Sequence, residues 1–340
     1  MIPRLVLDRR YGALVDAVPP GVAVDTLQVS RPLKAIPKLR EYLRSQKPDI
    51  FLANTEHANV VAIWAHALVS GHKTKLVVTQ HNAVSHQAKR KGLQWRLLPS
   101  LYRLFLRRAD AIIAVSQGVG NEMVAHYGAP AGRLHVIHNG VVNDVLPPLH
   151  TGREQGLVLA VGRMVAQKDY PSLLRAFAQV KRPAKLRILG EGPARPALEA
   201  LAESLGIADR VEMPGFVSDP GAHMASANVV VLSSRFEGFG NVLAEALAHG
   251  TSCVSTDCCY GPSEILGDGQ YGKLVPVGDA SAMAAAIDAL LEAPLDPEAL
   301  RRQAEAFTIG RCADRYLALF NELLETESPR PAAQESSLWA

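Results

Sequence analysis

Arg235-Phe-Glu-Gly-Phe-Gly-Asn-Val-Leu-Ala-Glu-Ala-Leu-Ala-His-Gly250 follows directly on Asn228-Val-Val-Val-Leu232, an apolar run that reads as a buried strand. Val242, Leu243, Ala246 and Leu247 recur at helical spacing, and Gly250 is placed to stop that helix. Glu237 therefore sits in a glycine-rich turn at a helix N-terminus, and Glu245 lies inside the helix. Helical side chains lean toward the N-terminus, so both carboxylates can face a ligand held at the helix mouth. Free backbone N–H groups there favour phosphate. A carboxylate on each side of a phosphate site suits a molecule with hydroxyls at both ends and charge in the middle, as in a nucleotide sugar.

Further motifs stand at strand ends on either side of this segment. Gly162-Arg163 ends the strand-like run 157–161, and Lys168-Asp169 follows it. Gly190-Glu191-Gly192-Pro193 ends the run 185–189, and Gly215-Phe216-Val217 follows the run 210–213. Gly261-Pro262-Ser263-Glu264-Ile265-Leu266 precedes the last strand-like run of the series, 273–275. Taken in this order over residues 157–279, the set resembles the retaining glycosyltransferases of the GT-B fold, family 4. That family's Glu-x7-Glu signature is matched by Glu237 and Glu245.

The resemblance implies a role for each matching residue. Glu237 would hold the donor-sugar hydroxyls and orient the sugar, with the N–H groups of Phe239, Gly240 and Asn241 close to sugar and phosphate. Glu245 would accept from the ribose hydroxyls. Arg163 can fork onto two diphosphate oxygens and Lys168 adds a point charge, with Gly240 and Asn241 at the helix mouth. Gly190, Gly192, Phe216 and Val217 would line the nucleobase region, although a Phe after a strand suits core packing equally. His81, in Val-Val-Thr-Gln-His-Asn, stands where the family faces the sugar across its cleft, and is the second catalytic candidate beside Glu237. A histidine there is more often a structural hydrogen-bonder. His138 and Asn139 read as structural, and His57 has no assigned role.

No Asp-x-Asp occurs anywhere in the chain, so a metal held by such a pair is not expected. Fixed positive charge and backbone donors would stabilise the leaving diphosphate instead. No metal and no other cofactor is expected.

Apolar strand-like runs alternate with helical spacing along the whole chain, which implies an α/β protein with parallel sheets covered on both faces. In the first half the strand-like runs are 4–7, 23–27, 49–53, 75–79, 110–115 and 134–137. Helical spacing falls at 33–46, 57–69, 91–108 and 117–127. The GT-B arrangement implied is two Rossmann-like, doubly wound domains facing each other across a cleft. An acceptor-side domain would cover 1–145, a linker 146–156 and a nucleotide-sugar domain 157–307. A helix at 308–327 would cross back to the first domain, and 328–340 would be a disordered tail. The first strand-like run resembles the family's second strand, so about one strand–helix unit is expected to be missing at the start.

The chain has 340 residues, 48% hydrophobic and 20% charged, with a formal charge of +3. Those are ordinary values for a globular α/β protein of two domains. The distribution of charge is less ordinary. No Asp or Glu falls between Glu56 and Asp110, while Lys73, Lys75, Lys89, Arg90, Lys91, Arg96, Arg103, Arg107 and Arg108 all do. If residues 89–108 are helical, Lys89, Arg96, Arg103 and Arg107 share a face, with Trp95, Leu98, Tyr102, Phe105 and Leu106 over the others and Pro99 placed to start a second helix. This points to an anionic membrane surface, and so to a protein held peripherally at the inner face of the membrane from the cytoplasm; a solvated face, or one that binds a charged soluble acceptor, is the alternative. The expected acceptor is a glycan or a lipid-linked molecule of cell-surface polysaccharide or glycolipid synthesis. The expected donor is a UDP-linked hexose or N-acetylhexosamine, and no nucleic acid partner is implied. Cys253, Cys258, Cys259 and Cys312 match no zinc spacing and read as reduced thiols. No apolar run approaches the ~20 residues of a membrane span.

Three other readings are less well supported. A nicotinamide enzyme would carry Gly-x-Gly-x-x-Gly after a strand, with an acidic residue ~20 positions on, and no strand-like run is followed by such a motif. A sugar-nucleotide epimerase shares the GT-B fold, but Glu-x7-Glu with Gly-Arg-x4-Lys favours transfer. A binding protein that has lost turnover with its first strand unit is the remaining alternative.

Overall fold

The computed structural model describes residues 2–325 apart from 11–14, 16, 30, 31, 70, 72, 83–104 and 151. The candidate membrane-facing residues Lys89, Trp95, Arg96, Leu98, Pro99, Tyr102 and Arg103, and the tail from 328, lie outside them.

Residues 157–275 form one parallel sheet. Its strands are β7 (Leu157–Val161), β8 (Lys185–Leu189), β9 (Val211–Gly215), β10 (Val229–Leu232), β11 (Ser252–Thr256) and β12 (Lys273–Val275), in the spatial order β12-β11-β10-β7-β8-β9. Successive side chains go to opposite faces of the sheet. Leu157 and Leu159 join one apolar cluster with Val230 and Leu232, while Val158 and Ala160 join another with Val229 and Val231. Both faces are covered, so the strands read as continuous apolar runs. The chain builds outward from β7 in one direction through β8 and β9, then returns to β10 and builds in the other. The carboxyl ends of β7 and β10 therefore flank the point where strand order reverses, the place where such sheets bind ligands.

In the first half, β3 (Ile50–Asn54), β4 (Lys75–Gln80), β5 (Ala111–Ala114) and β6 (Leu134–Val136) form a second parallel sheet in that order. The runs β1 (Arg4–Leu7) and β2 (Ala23–Thr26) were expected in the same series. They pair only with each other, in parallel, and form a sheet of two strands. No residue of β1 or β2 is buried, unlike β5, in which all are. The β1–β2 unit is tied to the rest through helix α1 (Pro32–Gln46) against α2 (Glu56–Ala67). Leu39 and Leu43 of α1 share an apolar cluster with Val61 and Ala65 of α2.

The helices that position the site are α3 (Gln117–Tyr127), α4 (Tyr170–Phe177), α5 (Arg195–Ser204), α6 (Gly221–Ser226), α7 (Asn241–Ala248) and α8 (Pro262–Ile265). Three more, α9 (Ala280–Glu292), α10 (Pro297–Ala304) and α11 (Ile309–Glu325), complete the described chain. Leu319 of α11, with Tyr316 and Phe320, packs on Val77 and Ile113 of the first-half sheet. The chain thus passes between the halves twice, and the passages are bonded together. The Val141 and Val142 N–H groups donate to the Phe307 carbonyl, and the Ile309 N–H to that of Val142.

Candidate active site

The turn after β10 and the loop after β7 are fastened to each other. The Arg235 N–H donates to the Gln167 carbonyl at 2.8 Å, Gln167 Nε2 to the Phe236 carbonyl at 2.9 Å, and Ser233 Oγ to the Lys168 carbonyl at 2.6 Å. This brings Lys168 Nζ to 2.7 Å from Glu237 Oε1, an oxygen that also accepts from Ser234 Oγ at 2.6 Å. Both side chains are largely buried, at 19% and 11% exposure. The other oxygen, Oε2, takes no hydrogen bond among the described residues and is the one left for a ligand.

Glu245 lies on α7 beside the same lysine. Burial pushes its carboxyl above the usual range, and the charge of Lys168 opposes that rise. One ammonium therefore acts on both glutamates. The N-terminus of α7 begins at Gly240, at φ 99°, with no side chain capping it. Its first N–H groups stay available to an anion.

Arg163 is exposed and makes no ion pair among the described residues. Its loop is packed against the turn after β8. A Cβ on Gly190 would lie 2.1 Å from the Gly162 carbonyl oxygen, and Gly190 sits at φ 132°. Only glycine lets these two turns come together. Of the pair after β9, Val217 packs against the core, while Phe216 is 79% exposed, so core packing does not account for the Phe. Phe239 is the reverse. Its ring is buried, stacked on His138 at 5.4 Å and edge-on to Phe307, so only its backbone can serve a ligand.

A cavity of about 480 Å³ runs from Glu245 between α6, the end of α7 and residues 141–147. It brings Asp219 and His249 to the same space. Burial lowers the His249 imidazole below its ordinary value. Nothing in the sequence marks His249, which reads as the residue that closes α7.

The first half closes over this site. His81, after β4, lies with Nε2 3.5 Å from Asn54 Oδ1, and burial lowers its imidazole toward the neutral form. Its backbone abuts the donor turn: a Cβ on Gly238 would lie 1.9 Å from the His81 carbonyl oxygen. Ser116 Oγ donates to the Gly238 carbonyl at 2.7 Å, and Asn139 Nδ2 to Asn241 Oδ1 at 3.0 Å. His138 and Asn139 thus touch the donor turn, a placement that reading them as structural did not specify. No group of His, Cys, Asp and Glu side chains suited to a metal occurs among the described residues. No described helix is long and apolar enough to cross a membrane.

Comparison with known proteins agrees with this geometry. Residues 4–144 match the family model "Glycosyltransferase Family 4", and residues 155–293 match "Glycosyl transferases group 1". The chain is 28% identical over 258 residues to an N-acetylgalactosamine-N,N'-diacetylbacillosaminyl-diphospho-undecaprenol 4-alpha-N-acetylgalactosaminyltransferase of Campylobacter jejuni, across 75% of this chain and 70% of that protein. It is 33% identical over 192 residues to the lipopolysaccharide core biosynthesis glycosyltransferase LpsE of Rhizobium meliloti, across 55% of each. The chain thus spans little more than half the length of LpsE. Among solved structures, HepE of Anabaena in complex with UDP superposes with a TM-score of 0.76 at 21% identity, over 94% of this chain and 92% of that one.

Proposed function

Taking as premise that this chain is a glycosyltransferase of the GT-B fold, we propose that it is a retaining, family 4 enzyme that moves a hexose or N-acetylhexosamine from a UDP-sugar to a lipid-linked glycan. The observation that carries this is Lys168 bonded to Glu237, with its charge also acting on Glu245, at the reversal point of the β7–β12 sheet. A ligand there meets two carboxylates suited to hydroxyls, with a cation and open helix N–H groups between them. The Campylobacter relative is named for an undecaprenol-linked acceptor, LpsE for lipopolysaccharide core, and the Anabaena structure holds UDP.

In this reading Arg163, Lys168 and the N-terminus of α7 take the diphosphate and stabilise the charge it gains as the anomeric C–O bond breaks. Glu245 holds the ribose, and Glu237 Oε2 a sugar hydroxyl. The acceptor oxygen bonds to the anomeric carbon on the leaving-group face, and its proton passes to the departing phosphate oxygen. His81, neutral, orients the sugar from across the cleft.

Titration calorimetry with UDP tests the donor site. Arg163→Ala and Glu245→Ala should each weaken binding by roughly 1.5–3 kcal/mol, the range of a charge-assisted hydrogen bond. Binding and transfer should persist in EDTA. Unchanged affinity in both variants would overturn the assignment, and loss of transfer in EDTA with recovery in manganese would overturn metal independence.

The basic stretch between Glu56 and Asp110 supports docking at the anionic inner face of a membrane, each cation contributing about 1 kcal/mol near such a surface. The protein should co-sediment with anionic vesicles at low salt and be released at high salt. Equal pelleting on neutral vesicles would remove this part of the reading.

A further inference from the structure

Glu264, on α8, is a carboxylate for which the donor site has no use. It reaches the other domain, at the first turn of α3. Oε2 accepts from the Gln117 N–H at 2.8 Å and Oε1 from the Gly118 N–H at 3.0 Å. His138 Nε2 lies 3.0 Å from Oε2. The helix dipole favours a negative charge at that end of α3. Burial alone would raise the Glu264 carboxyl, but the bonds from His138, Gln117 and Gly118 outweigh it and hold the group below the usual range.

The residues on either side of this clasp are the ones that touch the donor turn. Ser116, which caps α3 by accepting from the Val119 N–H, also donates to the Gly238 carbonyl. Asn139, next to His138, donates to Asn241. The His138 ring itself lies over Phe239. Glu264 thus grips the first domain at Gln117, Gly118 and His138, and the neighbours of those residues bear on Gly238, Phe239 and Asn241.

We propose that Glu264 is a positioning residue: by clasping the start of α3 and His138 it seats the first domain on the donor turn, and so sets the spacing between His81 and Glu237 across the cleft. The proposal rests on reading that cleft as the transfer site. Glu264 touches no residue assigned to the sugar or the diphosphate, so its loss should act on turnover and leave nucleotide binding in place.

Glu264→Gln is the isosteric test. Its amide has one acceptor oxygen, so in either orientation its NH2 faces one of the two helix N–H donors. Backbone amides of 116–120 should exchange faster with deuterium, and X-ray scattering should show a larger maximum dimension. With a sugar nucleotide, kcat should fall by about tenfold or more, the scale expected of a misplaced reacting group, while UDP affinity stays within about twofold. Ser116→Gly is the second variant. Gly caps a helix nearly as well as Ser, so α3 survives while the bond to Gly238 is lost. It should lower kcat with UDP affinity kept.

Unchanged exchange and scattering in Glu264→Gln would overturn the proposal. So would a loss of UDP affinity as large as the loss of turnover in both variants. If the unaltered protein turns over no sugar nucleotide, the transferase reading fails by itself, and exchange and scattering still decide whether Glu264 holds the domains together.

Discussion

Glu237→Gln should lower kcat by about a hundredfold or more, with a much smaller change in UDP affinity. Glu237 Oε1 is engaged by Lys168 and Ser234, which leaves Oε2 for the donor sugar. Replacing the carboxylate with an amide of the same shape takes the negative charge out of two contacts, one to Lys168 and one to the sugar, and leaves one acceptor oxygen for both; a charge-assisted contact is worth roughly 1.5–3 kcal/mol. About 3 kcal/mol lost at the transition state corresponds to roughly a hundredfold. The ammonium of Lys168 is then left largely buried beside a neutral partner, so a lower melting temperature should accompany the kinetic loss. Steady-state kinetics with a UDP-sugar and calorimetry with UDP separate the two effects. An unchanged kcat would remove Glu237 from the chemistry. A loss confined to UDP affinity would move it to the nucleotide.

The second large effect is expected of Gly238→Ala. Gly238 is not at positive φ, so its backbone accepts an alanine without strain. The obstacle lies in the other domain. The added Cβ would meet the His81 carbonyl oxygen at 1.9 Å, its carbon at 2.8 Å and Asn82 Cα at 3.1 Å. These are backbone atoms and cannot turn aside as a flexible side chain would. The domains must separate at this point, which carries His81 away from Glu237. Transfer should fall by roughly a hundredfold, the scale of an ångström-sized misplacement. UDP binding, made by residues of the half built on β7–β12, should persist. Transfer at the unaltered rate would show that the cleft does not need this approach.

Gly238 also shows where the sequence runs out. As a residue in a glycine-rich turn before a helix it reads as permission for local bending. Its function in the fold is to let a strand end from another domain touch it. The same limit applies to Phe239 and Phe216. Both are aromatic residues after strands, yet one ring is buried between His138 and Phe307, and the other is exposed. Glu264 stood in a recognisable motif with no role attached, because its partners Gln117 and Gly118 lie 147 and 146 positions away. The β1–β2 pair was legible as two strands, but its separation from β3–β6 was not.

The sequence by itself determined the α/β class, the order of strands and helices, and which residue types stand at the strand ends. These follow from period and punctuation, which are local: alternating or continuous apolar runs, helical spacing, and glycine where a turn must close. The tertiary structure decided which strand ends are neighbours. β7 and β10 are adjacent only because the chain reverses direction across the sheet, and that adjacency puts Lys168 on Glu237. It decided equally that Ser116, Asn139 and His81 meet the donor turn, and that Glu264 grips α3. The reason is physical. Periodicity states that an element has an apolar face to cover or a helix end with free N–H groups, and any element of the right shape or charge would satisfy it. Only packing the whole chain at once selects the one that does.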